Sequence, residues 1–173
     1  MVSTKTEEVK GPEINAEELE GLTTLEKSNK ITKTFVLWSA GGGLIPFPLV
    51  DIAAIYAAQI TMITKMTHVY GITFSEHKFK NIIYPLVGSL GVVPATTSLL
   101  ASLVKLIPGV GQFAGGISMS VMAGAITYAT GKIFTMHFEA GGTLLDFDAD
   151  KMKEYYKELY EEGKKVAKEA AKS

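Results

Sequence analysis

The sequence predicts an all-α protein: two apolar helical hairpins inserted in a membrane, flanked by an N-terminal charged helix and a C-terminal amphipathic helix. Three observations carry that expectation. From Asn81 to Gly131 the only charged side chain is Lys105, and from Thr34 to Thr64 the only one is Asp51. Mean hydropathy over the 173 residues is positive, +0.20, although both ends are rich in Lys and Glu. Caps and breakers also recur at helix spacings along the chain. A water-exposed helix needs a polar face opposite its buried one, and the two apolar blocks supply none at a steady period. A bilayer or an unusually large core must receive them.

At this length one domain is expected. Residues 1–14 read as a flexible polar tail and 15–173 as a single helical membrane-associated domain. Asn15 with Glu18, and Thr23 with Glu26, have capping-box spacing. The second box opens a helix through Lys27, Lys30 and Lys33 into the apolar run containing Trp38, stopped by Gly41-Gly42-Gly43 and by Pro46 and Pro48. The next helix runs from about Leu49 to Tyr70, with Gly71 ending it. Thr73 with Glu76 has the same box spacing and opens an apolar arm from Asn81 to Ile107, with Pro85 and Pro94 as kinks. After a break at Pro108 the chain continues from Gln112 to about Glu139. The last element, Asp148 to Lys172, is a helix started by Asp148 or Asp150. It carries Met152, Tyr155, Tyr156, Leu159, Tyr160, Val166 and Ala170 on one stripe.

Leu44-Ile45-Pro46 and Leu106-Ile107-Pro108 occupy equivalent breaks, which favours two hairpins. A span takes about 20 apolar residues. The second hairpin's arms meet that, whereas Phe35–Ile45 is shorter and suits a re-entrant wedge. Lys27, Lys30, Lys33, Lys65, Lys78, Lys80 and Lys132 lie at the open ends and Lys105 alone at a tip. The positive-inside rule therefore places the protein in the cytoplasmic (inner) membrane with both termini cytoplasmic.

Several residues are candidates for function. The hairpin breaks are Pro46, Pro48 and Pro108, and the tip charges are Asp51 and Lys105. Asp51 is either an N-cap or a partner for Lys105, because a charge in a membrane must be paired or wetted. Small residues crowd the second hairpin: Gly88, Gly91, Gly109, Gly131, and the four-residue spacings Gly111–Gly115 and Gly116–Ser120–Gly124. Gly111, Gly115, Gly116 and Gly124 would let backbones approach closely, either within the hairpin or between copies. On the last helix, Met152, Tyr155, Tyr156 and Leu159 form a docking stripe. Lysines and glutamates nearly balance on its polar face, so the stripe is expected to pack on protein, against the hairpin bases or a second subunit.

Composition excludes much. Net charge is −1 and every basic residue is Lys, so a nucleic-acid partner is not expected. With no Cys there is no thiolate chemistry. No phosphate loop, nucleophile elbow or His-Glu-x-x-His occurs. His137 with Glu139, Asp146 and Asp148 reads as a helix end, turn and new cap rather than a metal site. No catalytic residue, metal or cofactor is expected. The function indicated is a non-enzymatic membrane scaffold, shaping or anchoring protein, a homo-oligomer on the lipid bilayer. The alternative is a soluble helical homo-oligomer that buries its apolar hairpins or encloses a lipid or other apolar ligand.

Two segments add a resemblance. Ile45-Pro46-Phe47-Pro48-Leu49-Val50-Asp51-Ile52-Ala53, followed by Gln59, Met62 and Tyr70-Gly71, is similar to a signature of the YcjF-like proteins (domain of unknown function 697), a bacterial family found with or fused to GTPases. The run from Gly131 through His137, Glu139, Gly141, Gly142 and Thr143 to Asp146-Phe147-Asp148 resembles that family's ending. The resemblance spans about residues 30 to 165. It implies a helical membrane-associated module, here a stand-alone member, whose GTPase would lie on a separate chain. It brings no catalytic residues.

Overall fold

A computed structural model describes residues 11–41, 52–91 and 119–172, and all regular structure among them is helical. The helices are α1 (Ala16–Leu19), α2 (Thr24–Ala40), α3 (Ile52–Tyr70), α4 (Glu76–Ser89), α5 (Met119–Glu139) and α6 (Ala149–Ala170). None of these is long and apolar enough to cross a membrane. The hairpin breaks and tips expected from the sequence lie outside the described residues.

Caps explain where the helices begin, and two differ from expectation. The Thr23–Glu26 box is complete: Thr23 accepts from the Glu26 amide, and Glu26 accepts from the Thr23 amide at 2.8 Å. Asn15 flanks α1 but makes no side-chain cap bond. Thr73 is not a cap either. The chain leaves α3 through Gly71 at φ +67 and stays non-helical to Ser75, which is extended and whose hydroxyl accepts the Lys78 amide. Glu76 is then the first helical residue, too early for the reciprocal bond of a box. Asp148 caps α6.

Of the arm expected from Asn81 to Ile107, residues 92–107 lie outside the described residues. α4 passes through Pro85 and ends at Ser89, with Gly91 at φ +66. That left-handed conformation suits glycine because it lacks a Cβ, and it ends a helix.

α5 is the central element. α2, α3 and α6 pack around it, and Phe79 of α4 reaches Phe134 with ring centroids 5.7 Å apart. Its apolar character therefore follows from burial on nearly every side. α2 and α6 both run antiparallel to α5. The pairs Thr24–Glu139 and Ser39–Thr127 set one register, and Met136–Tyr155 and Ala125–Gly163 the other. The core joins Ile31, Phe35, Met62, Met66, Phe79, Leu86, Ile133, Phe134 and Tyr156. A smaller cluster of Ala40, Val121, Ala167 and Ala170 closes the opposite end. We call the Thr24/Tyr70/Glu139 end basal and the Ala40/Ala170 end apical.

Candidate functional site

Two pairs of buried hydroxyls cross the α2–α5 interface. Thr135 Oγ1 donates to the Gly131 carbonyl at 2.7 Å, so Ser28 Oγ donates to Thr135 Oγ1, also at 2.7 Å. Higher up, Thr127 Oγ1 donates to the Ala123 carbonyl at 2.8 Å and accepts from Gln59 Nε2 at 2.8 Å and from Ser39 Oγ at 3.2 Å. Ser28, Ser39, Thr127 and Thr135 are thus matched, as burial requires, whereas the buried Tyr56 hydroxyl on α3 has no partner among the described residues. Gln59 is 1% exposed, and its Oε1 has no partner among the described residues. The line Ala123–Thr127–Gly131–Thr135 has four-residue spacing and shares one helix face.

Glycines fix how closely the helices meet. A Cβ on Gly124 would lie 2.8 Å from the Cβ atoms of both Ala40 and Ala167, so α2, α5 and α6 converge there. A Cβ on Gly131 would collide with Thr32, and one on Gly163 would stand 2.9 Å from the Ala125 carbonyl oxygen. Of the glycines singled out from the sequence, Gly124 sits at this crossing. Gly111, Gly115 and Gly116 lie outside the described residues, as do Pro46, Pro48, Pro108, Asp51 and Lys105. The contact at Gly163 was not anticipated. The four-residue small-residue spacing of α5 was the usable clue to the Thr127–Gly131–Thr135 line.

On α6, Tyr156 is fully buried and its hydroxyl meets Thr130 Oγ1 at 2.9 Å. Leu159 and Tyr160 are buried beside it, while Met152 and Tyr155 are half-buried and Tyr155 donates to Met136 Sδ at 3.1 Å. Val166, expected on the stripe, is 36% exposed; Gly163 and Ala167 take the inner positions. Ala167 and Gly163 permit the close approach that Val166 would prevent. The helix follows α5 from base to apex instead of resting on the basal end alone.

The basal end gathers the residues from His137 to Asp148. Tyr70 donates to Glu139 at 2.6 Å and Thr24 donates to the same oxygen at 3.2 Å. Burial first, then this bond to the carboxylate, raises the Tyr70 hydroxyl to about 12. His137 Nε2 lies 2.8 Å from the Thr143 carbonyl, which can only accept, so that nitrogen carries the proton. The His137 ring fills the space where a Gly142 side chain would stand, and packs edge-on to Phe147 at 4.8 Å. Asp146 accepts from the Thr143 hydroxyl and amide, and these bonds hold its carboxyl below the usual range. The segment is a hydrogen-bonded corner joining α5 to α6. Among the described residues no three His, Asp or Glu side chains converge as metal ligands.

A surface groove of about 620 Å³ lies between α1, α2 and α3, with Ile31 and Val69 among its lining and Lys27 and Lys65 alongside Glu17 and Glu20.

Comparison with known proteins adds two findings. The family described as "Domain of unknown function (DUF697)" matches residues 16–165. Magnetosome membrane protein 22 of Magnetospirillum gryphiswaldense is 41% identical over 140 residues, covering 81% of this chain and 72% of that protein. No solved structure gives a significant match.

Proposed function

The chain belongs to the DUF697 family, and from that premise we propose that it is a non-enzymatic, membrane-associated module that scaffolds, shapes or anchors, acting as a homo-oligomer alongside a GTPase on a separate chain. The observation that carries the reading is residues 92–118. This stretch has no charge but Lys105, and it is joined to a bundle whose described helices already pack their apolar faces on one another. A relative named as a magnetosome membrane protein supports the membrane association. The basal corner supports the absence of catalysis, because its polar groups bond to one another to hold a turn. The GTPase partner rests on the family resemblance.

A second reading draws on α6, which keeps lysines and glutamates exposed along its whole length beside α5. In that reading, copies of the chain bury 92–118 against each other or around an apolar ligand. Carbonate washing separates the two. Retention in the membrane pellet, with an oligomer after detergent extraction, is the expected result. Release by carbonate as a monodisperse species without detergent overturns the membrane reading in favour of the second.

A further inference from the structure

We infer that the apical end of the bundle is a docking face for an anionic lipid surface, and that Lys165, Lys168 and Lys172 are its headgroup-binding groups. The inference rests on the membrane reading above and specifies the protein's orientation.

Topology is the first observation. Gly41, after α2, lies beside the Ala170 carbonyl at the apical end. α5 begins at that end, since Gly124 touches Ala40 and Ala167. α3 places Tyr70 at the base and Gln59 against Thr127, so its start at Ile52 is apical. α4 runs the same way as α2, with Phe79 on Phe134 and Tyr84 farther up against Tyr56. Both apolar sequence stretches, 42–51 and 92–118, are therefore joined to the bundle at one end.

Charge is the second, independent observation. Residues 34–41, 52–64, 81–91 and 119–131 contain no charged side chain, so the apical parts of α2 to α5 are neutral. Among the described residues only α6 brings charge there: Lys164, Lys165, Lys168 and Lys172 with Glu161, Glu162 and Glu169. In its basal half the lysines are neutralised, Lys151 by Asp148, Lys153 by Asp150 and Lys157 by Glu154, and Lys164 pairs with Glu161 at 2.6 Å. Lys165, Lys168 and Lys172 are exposed, and no ion pair holds any of them among the described residues. Lys165 and Lys168, three residues apart, share one face of α6, and Lys172 follows in the turn just beyond the C-cap Ala171. Unpaired lysines beside the points where apolar chain joins a bundle complement anionic headgroups. Lysines near a helix C-terminus also offset its dipole, and the test separates the two roles.

The chain has no Cys, so single-cysteine variants K168C and K78C can each carry one fluorophore, apical and basal respectively. The full chain is reconstituted into phosphatidylcholine vesicles with and without phosphatidylglycerol, including headgroup-spin-labelled lipid. Quenching of the K168C probe but not the K78C probe is expected; equal quenching, or the reverse, overturns the orientation. In flotation, K165E/K168E/K172E should lower partitioning onto phosphatidylglycerol vesicles by more than about tenfold and remove its salt sensitivity. A variant that loses thermal stability yet keeps that lipid preference assigns the lysines to the helix dipole and overturns their headgroup role. Failure of the unmodified chain to float with either vesicle refutes the membrane reading itself, a result distinct from quenching at the wrong end.

Discussion

Two glycines that look alike in sequence have opposite roles. Gly131 lies against Thr32, whose Cβ and γ atoms occupy the space a side chain would need. Gly88, inside α4, has nothing within 4 Å of its would-be Cβ. Gly131→Ala should therefore cost about 1–3 kcal/mol through overpacking. Gly88→Ala should stabilise by about 0.4–1 kcal/mol through the reduced freedom of the unfolded chain. Denaturant titration of both variants checks the pair, and equal effects would remove the close-approach argument. Tyr70 supports a pH prediction. Its hydroxyl is raised to about 12 in the folded protein, against about 10 when unfolded. A raised value means the stabilisation is fully present below pH about 10 and is lost as pH rises through about 12. Tyr70→Phe should have a shallower loss of stability over that window, measured by denaturation at stepped pH.

The elements were legible in sequence to the extent that their signals were local. The Thr23–Glu26 box, Gly71 and Asp148 each act within a turn of their own position, and each marks a boundary. Thr73 misleads because whether a box closes depends on where the backbone turns helical, which the non-helical segment after Gly71 decides. α6 was legible as amphipathic, but its inner face was not. A stripe drawn by hydropathy includes Val166, whereas packing against α5 selects the small Gly163 and Ala167. Deleting residues 150–173 strips the cover from Thr130, Ala125 and Gly124. The expected outcome is loss of cooperative unfolding, with membrane association reduced but retained through the apolar stretches. Circular dichroism melts and flotation measure both, and an unchanged melt contradicts the role of α6 as a wall of the core.

Across the whole molecule, α5 holds the bundle together. Its neighbours cover it on nearly every side, and Phe134 alone meets Phe79, Phe138 and Phe147. Such a helix opens only with global unfolding. Native-state hydrogen exchange should therefore find the slowest amides between Ala123 and Thr135, with α1 and the basal corner faster. Slower exchange in α6 than in α5 would put the stability centre elsewhere. Phe134→Ala should cost about 3–5 kcal/mol, because the site is walled by rings that cannot collapse inward.

The sequence by itself determined that the chain is helical, where most helices start, and that α6 has one face for protein and one for water. These follow from hydrogen-bond caps, glycine conformations and 3.6-residue periodicity, all of which act over a few residues. Only the tertiary structure decided why α5 has no charged side chain before Lys132. A helix between three others and one in lipid have the same composition, and they differ only in what surrounds them. The Ser28–Thr135 and Gln59–Thr127 bonds, the crossing at Gly124 and the gathering of helix ends at the apex likewise join residues far apart in sequence. Their partners are chosen by helix direction and register, and no local pattern encodes those.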